Sequence, residues 1–263
     1  MGGISDRRTA LKGLGVVAGA VALWSGKADA AMTTRAADLV PSGATELKDL
    51  LERLAKAPRR RDYKTVPMIL NDWDQWDHEA LDEVIAYRGG PKQAYDNTEL
   101  GSPWLNLMRN SLNAQIWSFR HPNFLVVSAT HGTAHLALFD QAMWDKYQLT
   151  KVAGPKFKTN TLLDEKKAGS GDAKDYESAT GAFSPHDNSI PALQRRGVVF
   201  LSCHNAIWEI SEKLLRAGVN PDKLPHEALA AEFTNHLIPG AVLTPGAVGT
   251  LPELQQAGFH YVK

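Results

Sequence analysis

The sequence predicts an α/β protein of three layers, a mainly parallel sheet of about five strands with helices on both faces. Short apolar runs recur at 66–70, 124–127, 198–202, 241–243 and 259–262, the length expected of buried strands. Between them, apolar residues repeat at helical spacing. The first four runs also open into polar or glycine-bearing exits, as parallel strands do where they hand over to crossover helices.

The elements follow in order. Residues 31–44 read as a leader of small and polar residues. Leu47, Leu50, Leu51 and Leu54 form one stripe with Glu46, Lys48, Asp49, Glu52 and Arg53 outside it, an amphipathic helix ending at Pro58. Arg59, Arg60 and Arg61 read as its solvated exit, with a phosphate contact as their weaker use. The first strand, 66–70, runs into an acidic, aromatic loop at 71–77. Trp73 and Trp76 either stack on a ligand there or roof the core, the commoner role of tryptophan. A helix with Leu81, Val84 and Ile85 inward stops at Gly89-Gly90. Ser102-Pro103 supplies an N-cap and a first-turn proline for a helix through Leu105, Met108 and Leu112 to about Phe119. The second strand, 124–127, exits through Ser128 to Thr133, and one helix carries Leu136, Phe139, Met143 and Trp144.

Periodicity disappears from 154 to 191. Gly169-Ser170-Gly171-Asp172, Gly181 and Pro185 interrupt any element, so this stretch reads as an insertion placed near the Cys203 edge, either a cover or unstructured. The third strand, 198–202, passes into a helix with Ile207, Ile210, Leu214 and Leu215 on one face, closed by Gly218. A helix over 225–237, a fourth strand at 241–243, a short helix at 251–257 and a last strand at 259–262 complete the chain.

The N-terminus reads as an address. Ser5-Asp6-Arg7-Arg8-Thr9-Ala10-Leu11-Lys12 places a twin-arginine pair before Leu and Lys, followed by a mildly apolar run from Gly13 to Trp24 too short to span a bilayer. Ala28-Asp29-Ala30 offers the small-x-small pattern of a cleavage site. The arrangement resembles a twin-arginine (Tat) signal peptide over 1–30, which implies export of the folded chain to the periplasm and no stable membrane insertion after cleavage. The remaining organisation is a leader and amphipathic helix over 31–60 and one α/β domain over 61–263 with the 154–191 insertion.

Composition narrows the function. A chain of 263 residues with 43% hydrophobic and 22% charged residues and no formal net charge points away from nucleic acid as a partner. One cysteine excludes an internal disulfide. No Gly-x-Gly-x-x-Gly follows any strand, and Gly246-Ala247-Val248-Gly249 is too short to stand for one. No resident cofactor is expected.

The chemistry concentrates at strand ends. Cys203 sits where an apolar run becomes a helix, a position that lowers thiol pKa, although a lone cysteine is also a common core residue. In an open parallel sheet ligands bind beyond the carboxyl ends of the strands. That rule gathers Asn71 and Asp72, His131, Cys203, His204 and Asn205, and Gly246 at one edge. Cys203 and His131 are then the candidate catalytic pair, with His131 taking the thiol proton, and Asn71, Asp72, His204, Asn205 and Gly246 are candidate ligand contacts. His131 and His135 are four residues apart, a spacing compatible with metal, but Gly132 follows His131 where a zincin has Glu, and no metal site is assigned. Ser184, His186 and Asp187 bring triad residue types together in sequence only.

At Cys203 the segment Gly197-Val198-Val199-Phe200-Leu201-Ser202-Cys203-His204-Asn205-Ala206 resembles the strand-Cys-x-Asn-Ala segment of DsrE/DsrF-like proteins. Residues 241–248 and 254–261 resemble the same family's closing Gly-Val turn and Leu-Gln-x-x-Gly-Tyr pattern, and the asparagine-bearing helix around Asn110 with His131-Gly132 is a third likeness. Together these cover about half of the chain expected after cleavage. The resemblance implies a three-layer α/β/α fold, homo-oligomers, and sulfur carried as a persulfide on the cysteine at the position of Cys203, exchanged with a sulfur donor or acceptor protein. The signal peptide and the 154–191 insertion depart from that pattern. A non-enzymatic small-ligand or metal-binding protein is the alternative reading, and whether the chain is an enzyme stays open.

Overall fold

In the computed structural model, which describes residues 39–166 and 173–263, one sheet is built from β1 (Lys92–Asn97), β2 (Leu125–Thr130), β3 (Val199–Cys203), β4 (Val242–Thr244) and β5 (His260–Val262). The strand order is β4-β3-β2-β1-β5, and every pairing is parallel. The twin-arginine motif, the cleavage pattern and Gly169 to Asp172 lie outside the described residues. No helix among the described residues is long and apolar enough to cross a membrane.

The helices are α1 (Thr45–Lys56), α2 (His78–Ala86), α3 (Trp104–Asn113), α4 (Gln141–Lys146), α5 (Thr150–Ala153), α6 (Ile190–Arg195), α7 (His204–Arg216), α8 (His226–Asn235) and α9 (Ala247–Gln256). Alternation along the strands divides the interior into two cores. Val126 and Phe200 join Trp104, Trp144, Ile207 and Phe233 on one face of the sheet. Leu125, Val127, Leu201 and Cys203 join Leu47, Leu81 and Leu254 on the other. The leucine stripe of α1 is buried as its spacing requires, each side chain worth about 1.5–3 kcal/mol.

The connections fix where a site can form. The chain steps from β1 to β4 in one direction with α3, α7 and α8 on the first core, then returns over the second core through α9 to lay β5 beside β1. Adjacent strands β3 and β4 therefore hand over to helices on opposite faces, which makes their carboxyl ends the topological switch point of the sheet.

Several sequence expectations are corrected. Residues 66–70 are not a strand. They form a strap in which Val66 N–H donates to the Glu227 carbonyl, and Met68 and Ile69 are 55% and 67% exposed. Pro67 has no N–H to give a sheet. The strand is instead Lys92–Asn97, whose polar residues disguise it: Gln93 accepts from Ser111 Oγ, Asn97 donates to Ser128 Oγ, and Asp96 binds His131 and Tyr261. The single helix expected from Leu136 to Trp144 is two elements, a 3-10 helix over Gly132–Leu138 and α4, separated by an extended Phe139 and recapped by Asp140, which accepts from Met143 N–H. Ser102 does not cap α3; its Oγ donates to the Glu99 carbonyl, and the helix begins at Trp104.

The arginine run is also not a solvated exit. Arg60 forks onto both oxygens of Glu79 at 2.7 and 2.8 Å. Arg61 meets the fully buried Asp77 at 2.9 Å and donates to the Ala241 carbonyl. Asp77 in turn accepts the N–H groups of Arg60 and of Leu243 in β4. One carboxylate thus ties the chain after α1 to the edge strand β4. Removing it leaves Arg61 and two N–H groups unmatched, so Asp77→Ala is expected to lose about 3–5 kcal/mol in urea unfolding, seen as a lower midpoint at unchanged slope.

Candidate functional site

Cys203 is the last residue of β3 and the N-cap of α7. Its Sγ accepts Ala206 N–H at 3.4 Å from the first turn of α7 and Ala247 N–H at 3.2 Å from the first turn of α9. The sulfur therefore bridges the N-termini of the two helices that diverge at the switch point. Burial pushes the thiol pKa up, and the N–H groups of Ala247, Ala206 and Asn205 pull against that shift without overcoming it. At 4% exposure the sulfur is enclosed.

A cavity of about 420 Å³ lies nearby, lined by Asn205, Pro245 and Gly246 but not by Cys203 itself. Asn205 and Gly246, from the first turn of α7 and the N-cap of α9, form the wall nearest Cys203. Gly249, Thr250 and Glu253 continue the α9 side. Ile69 and Leu70 from the strap, Trp76 from the loop after it and Leu81 from α2 line the facing side. Gly246 has an extended backbone and lies close to Asn205, since a Cβ there would stand 2.8 Å from Asn205 Nδ2, a side-chain end that would have to swing aside. The volume is in the range of small-molecule pockets.

The structure brings Cys203, Asn205 and Gly246 together as expected from sequence. The other candidates are placed differently. His131 follows β2, and its Nε2 is 2.6 Å from Asp96 Oδ1 on β1, the neighbour on the side away from β3. Tyr261 OH donates to the other Asp96 oxygen at 2.7 Å, so Asp96 joins β1, β5 and the β2 exit. Burial of Asp96 works to raise its pKa, yet the bonds from His131 and Tyr261 hold it below the usual carboxylate value. Gly132 makes this exit possible: its φ is +55°, and a Cβ would stand 2.6 Å from the Thr98 carbonyl. His131 is thus committed to Asp96 and does not pair with Cys203.

His204 is fully buried and its Nε2 is 2.8 Å from the Pro67 carbonyl, which pins the strap to α7. Asn71 and Asp72 are exposed and line no part of the cavity. Asp72 caps the short turn Trp73–Gln75 and Gln75 Oε1 accepts from both their N–H groups, so they shape the loop that presents Trp76. Trp76 both lines the cavity and packs against the two cores, while Trp73 is 63% exposed and packs on neither. Ser184, His186 and Asp187 form no triad, since Ser184 Oγ donates to the Gly181 carbonyl and Asp187 accepts from Ser189 Oγ. The insertion follows the first core, with Asn160 on the Ala137 and Phe139 carbonyls and Phe183 against α3, so its described residues stay off the Cys203 cavity.

His131 and His135 do not share a ligand position. His135 is fully buried, with Nε2 at 2.8 Å from Ser202 Oγ, and burial with the nearby His131 and His204 pushes its pKa down to about 3. Among the described residues no group of three or more His, Cys, Asp and Glu is arranged to hold a metal ion. Sequence reading missed Asp96 and the cavity contacts from α9 and the strap. Asp96 sits in a strand that polarity concealed, and Gly249, Thr250 and Glu253 required the helix to start at Ala247.

Comparison with protein-family models, curated proteins and solved structures returns no match.

The buried histidines set an acid limit. The unfolded chain takes up a proton at His135 as pH falls through the ordinary value of 6.5, while the folded chain resists until about 3. Stability is therefore full above about 6.5 and falls below it by up to about 1.4 kcal/mol per pH unit. His204, shifted down by burial, adds in the same sense; His236, raised by Asp140, opposes. The unfolding free energy from urea titration is expected to fall between pH 7 and pH 5 more for the wild type than for His135→Gln, by about 2 kcal/mol.

Proposed function

We propose that the crevice between the exits of β3 and β4 binds a small ligand, in an exported, DsrE-like protein of the periplasm. The observation that supports this reading is the 420 Å³ cavity at the switch point, walled by the first turns of two helices from opposite faces. Its wall is largely apolar through Ile69, Leu70, Trp76 and Leu81, with Asn205, Thr250 and Glu253 as the polar contacts that orient a guest. The likeness of the segments around Cys203 and at the C-terminus to DsrE/DsrF-like proteins supports the family assignment, and the twin-arginine pattern supports export.

Gly249 makes the test clean. A Cβ there meets nothing within 4 Å, and the residue is inside α9, so Gly249→Leu fills space at the cavity without disturbing the fold. Replacing a helical glycine is expected to raise stability by about 0.5–1 kcal/mol. Native mass spectrometry of protein taken from the periplasm, with a fragment screen by thermal shift, is expected to show binding by wild type that Gly249→Leu loses. A wild type that arrives empty and answers no fragment, or a Gly249→Leu variant that binds equally well, removes this reading.

A second reading places sulfur on Cys203, and the observation favouring it is that Sγ accepts N–H groups from two helix N-termini, an arrangement that suits an anionic sulfur. The thiol proton would pass to solvent. The thiolate would attack the terminal sulfur of a donor protein's persulfide, R–S–SH, forming Cys203–S–SH and releasing R–S⁻. With the sulfur 4% exposed, the crevice has to widen first. Intact mass after polysulfide treatment is expected to show one added sulfur on wild type and none on Cys203→Ser; identical masses for the two exclude sulfur carriage while leaving ligand binding to the Gly249 experiment.

A further inference from the structure

A second polar cluster lies apart from the crevice, between α3 and the segment before α6. Asn106, Arg109, Asn110 and Asn113 recur at helical spacing and put one polar face on α3. Buried against it are Arg109 and Arg196, 6% and 1% exposed. Arg109 donates to Asn188 Oδ1 at 3.0 Å, the Phe183 carbonyl at 3.0 Å, Asn106 Oδ1 at 2.8 Å and Asn110 Oδ1 at 2.7 Å. Arg196 lies over the Phe183 ring at 4.7 Å and donates through Nη2 to Asn113 Oδ1 at 2.7 Å. Its Nε and Nη1 are buried and find no hydrogen-bond partner among the described residues.

Every acceptor in this cluster is neutral. Among the described residues neither arginine forms an ion pair, and the charge that acts on Arg196 is Arg109, another cation. Asp187, in the same segment, spends its oxygens on Ser189 Oγ and Lys166 N–H. Burial, with the like charge of Arg109 beside it, pushes the Arg196 pKa down to about 9, and burial lowers that of Arg109 as well; an arginine side chain nonetheless keeps its proton in proteins. Elsewhere the part-buried Arg60 and Arg61 each meet a carboxylate, and the buried Lys92 donates to the Tyr87 carbonyl. Two buried guanidinium groups facing only amides and carbonyls are costly unless negative charge joins them.

We propose that Arg196 and Arg109, with the carboxamides of α3, form a binding site for a small oxyanion of the phosphate, sulfate or carboxylate type. The anion accepts from Nε and Nη1 of Arg196, planar donors suited to two oxygens of one group. Binding requires the Phe183 ring, which lies over the Arg196 guanidinium at 4.7 Å, to move aside. The site is independent of the Cys203 crevice, which lies at the β3–β4 exits and shares none of these residues.

The experiment is thermal unfolding of the full chain against phosphate, sulfate and acetate, each balanced with chloride at constant ionic strength. Because such salts stabilise most proteins without a site, the quantity read is wild type minus Arg196→Met. A saturable rise of about 5–10 °C at a hundred-fold excess over Kd is expected for the preferred anion in wild type and not in the variant. The three anions distinguish a phosphate or sulfate site from a carboxylate one. Equal responses in wild type and Arg196→Met overturn the proposal. Should Arg196→Met fail to fold, Arg196→Lys keeps the charge but not the planar donors, and at least about a ten-fold weaker Kd is expected. Titration calorimetry of wild type in Tris-chloride buffer, free of any other oxyanion, with phosphate, then sulfate and acetate, gives the remaining check: no saturable heat with any of the three overturns the proposal.

Discussion

The structure depends on one divergence. Adjacent strands β3 and β4 send their helices to opposite faces, and something has to hold the two departures together where backbone ladder ends. Cys203 does this with one atom, accepting an N–H from α7 and another from α9. The register places it opposite Thr244, whose Oγ1 donates to the Ser202 carbonyl and adds a side-chain tie across the same pair of strands. The open space of the cavity begins where these ties stop. A hollow at this point is a consequence of the topology, and the residues lining it are those that topology brings there from three separated stretches of sequence.

The same divergence explains a conflict at the sulfur. Two helix N-termini favour negative charge there, whereas enclosure by Ala206, Ala247 and the second core disfavours it. Enclosure wins in this conformation, and the thiol stands above its ordinary pKa. A strand-to-helix position is thus not sufficient for a reactive cysteine. Access decides whether the dipoles act on a thiolate or merely satisfy a buried thiol.

Much of the fold was readable because burial dominates it. The runs ending in Val127, Ser202, Leu243 and Val262 mark four of the five strands to within a few residues, and the leucines of α1 mark their helix. The remaining strand was hidden by its own function: Asp96 and Asn97 tie it to β5, β2 and the β2 exit and Gln93 ties it to α3, all through side chains, so a strand flanked by β2 and β5 reads as polar. The decoy at 66–70 is apolar because it covers the crevice, and hydropathy does not separate a lining from a strand. At the site, Cys203, Asn205 and Gly246 were legible from strand-exit logic. His131 was legible as an exit residue but not in direction, since only the position of Asp96 turns its ring toward β1.

The handling of buried charge separates architecture from binding in this molecule. Asp77 is fully buried, yet it meets Arg61 and two N–H groups, and the result is a joint between the segment after α1 and β4. Asp96 is matched in the same way by His131 and Tyr261. Both carboxylates lie in contacts complete enough to be structural. Arg196 breaks that pattern, with donors buried and unused beside a second cation. Lys92 and Arg109 are also buried without a carboxylate, but their donors are used, Lys92 on the Tyr87 carbonyl and Arg109 on four amide or carbonyl oxygens, so Arg196 differs in keeping two buried donors idle where leucine or methionine would fill the volume at less electrostatic cost. The charge is therefore better understood as half of an interaction than as part of the scaffold.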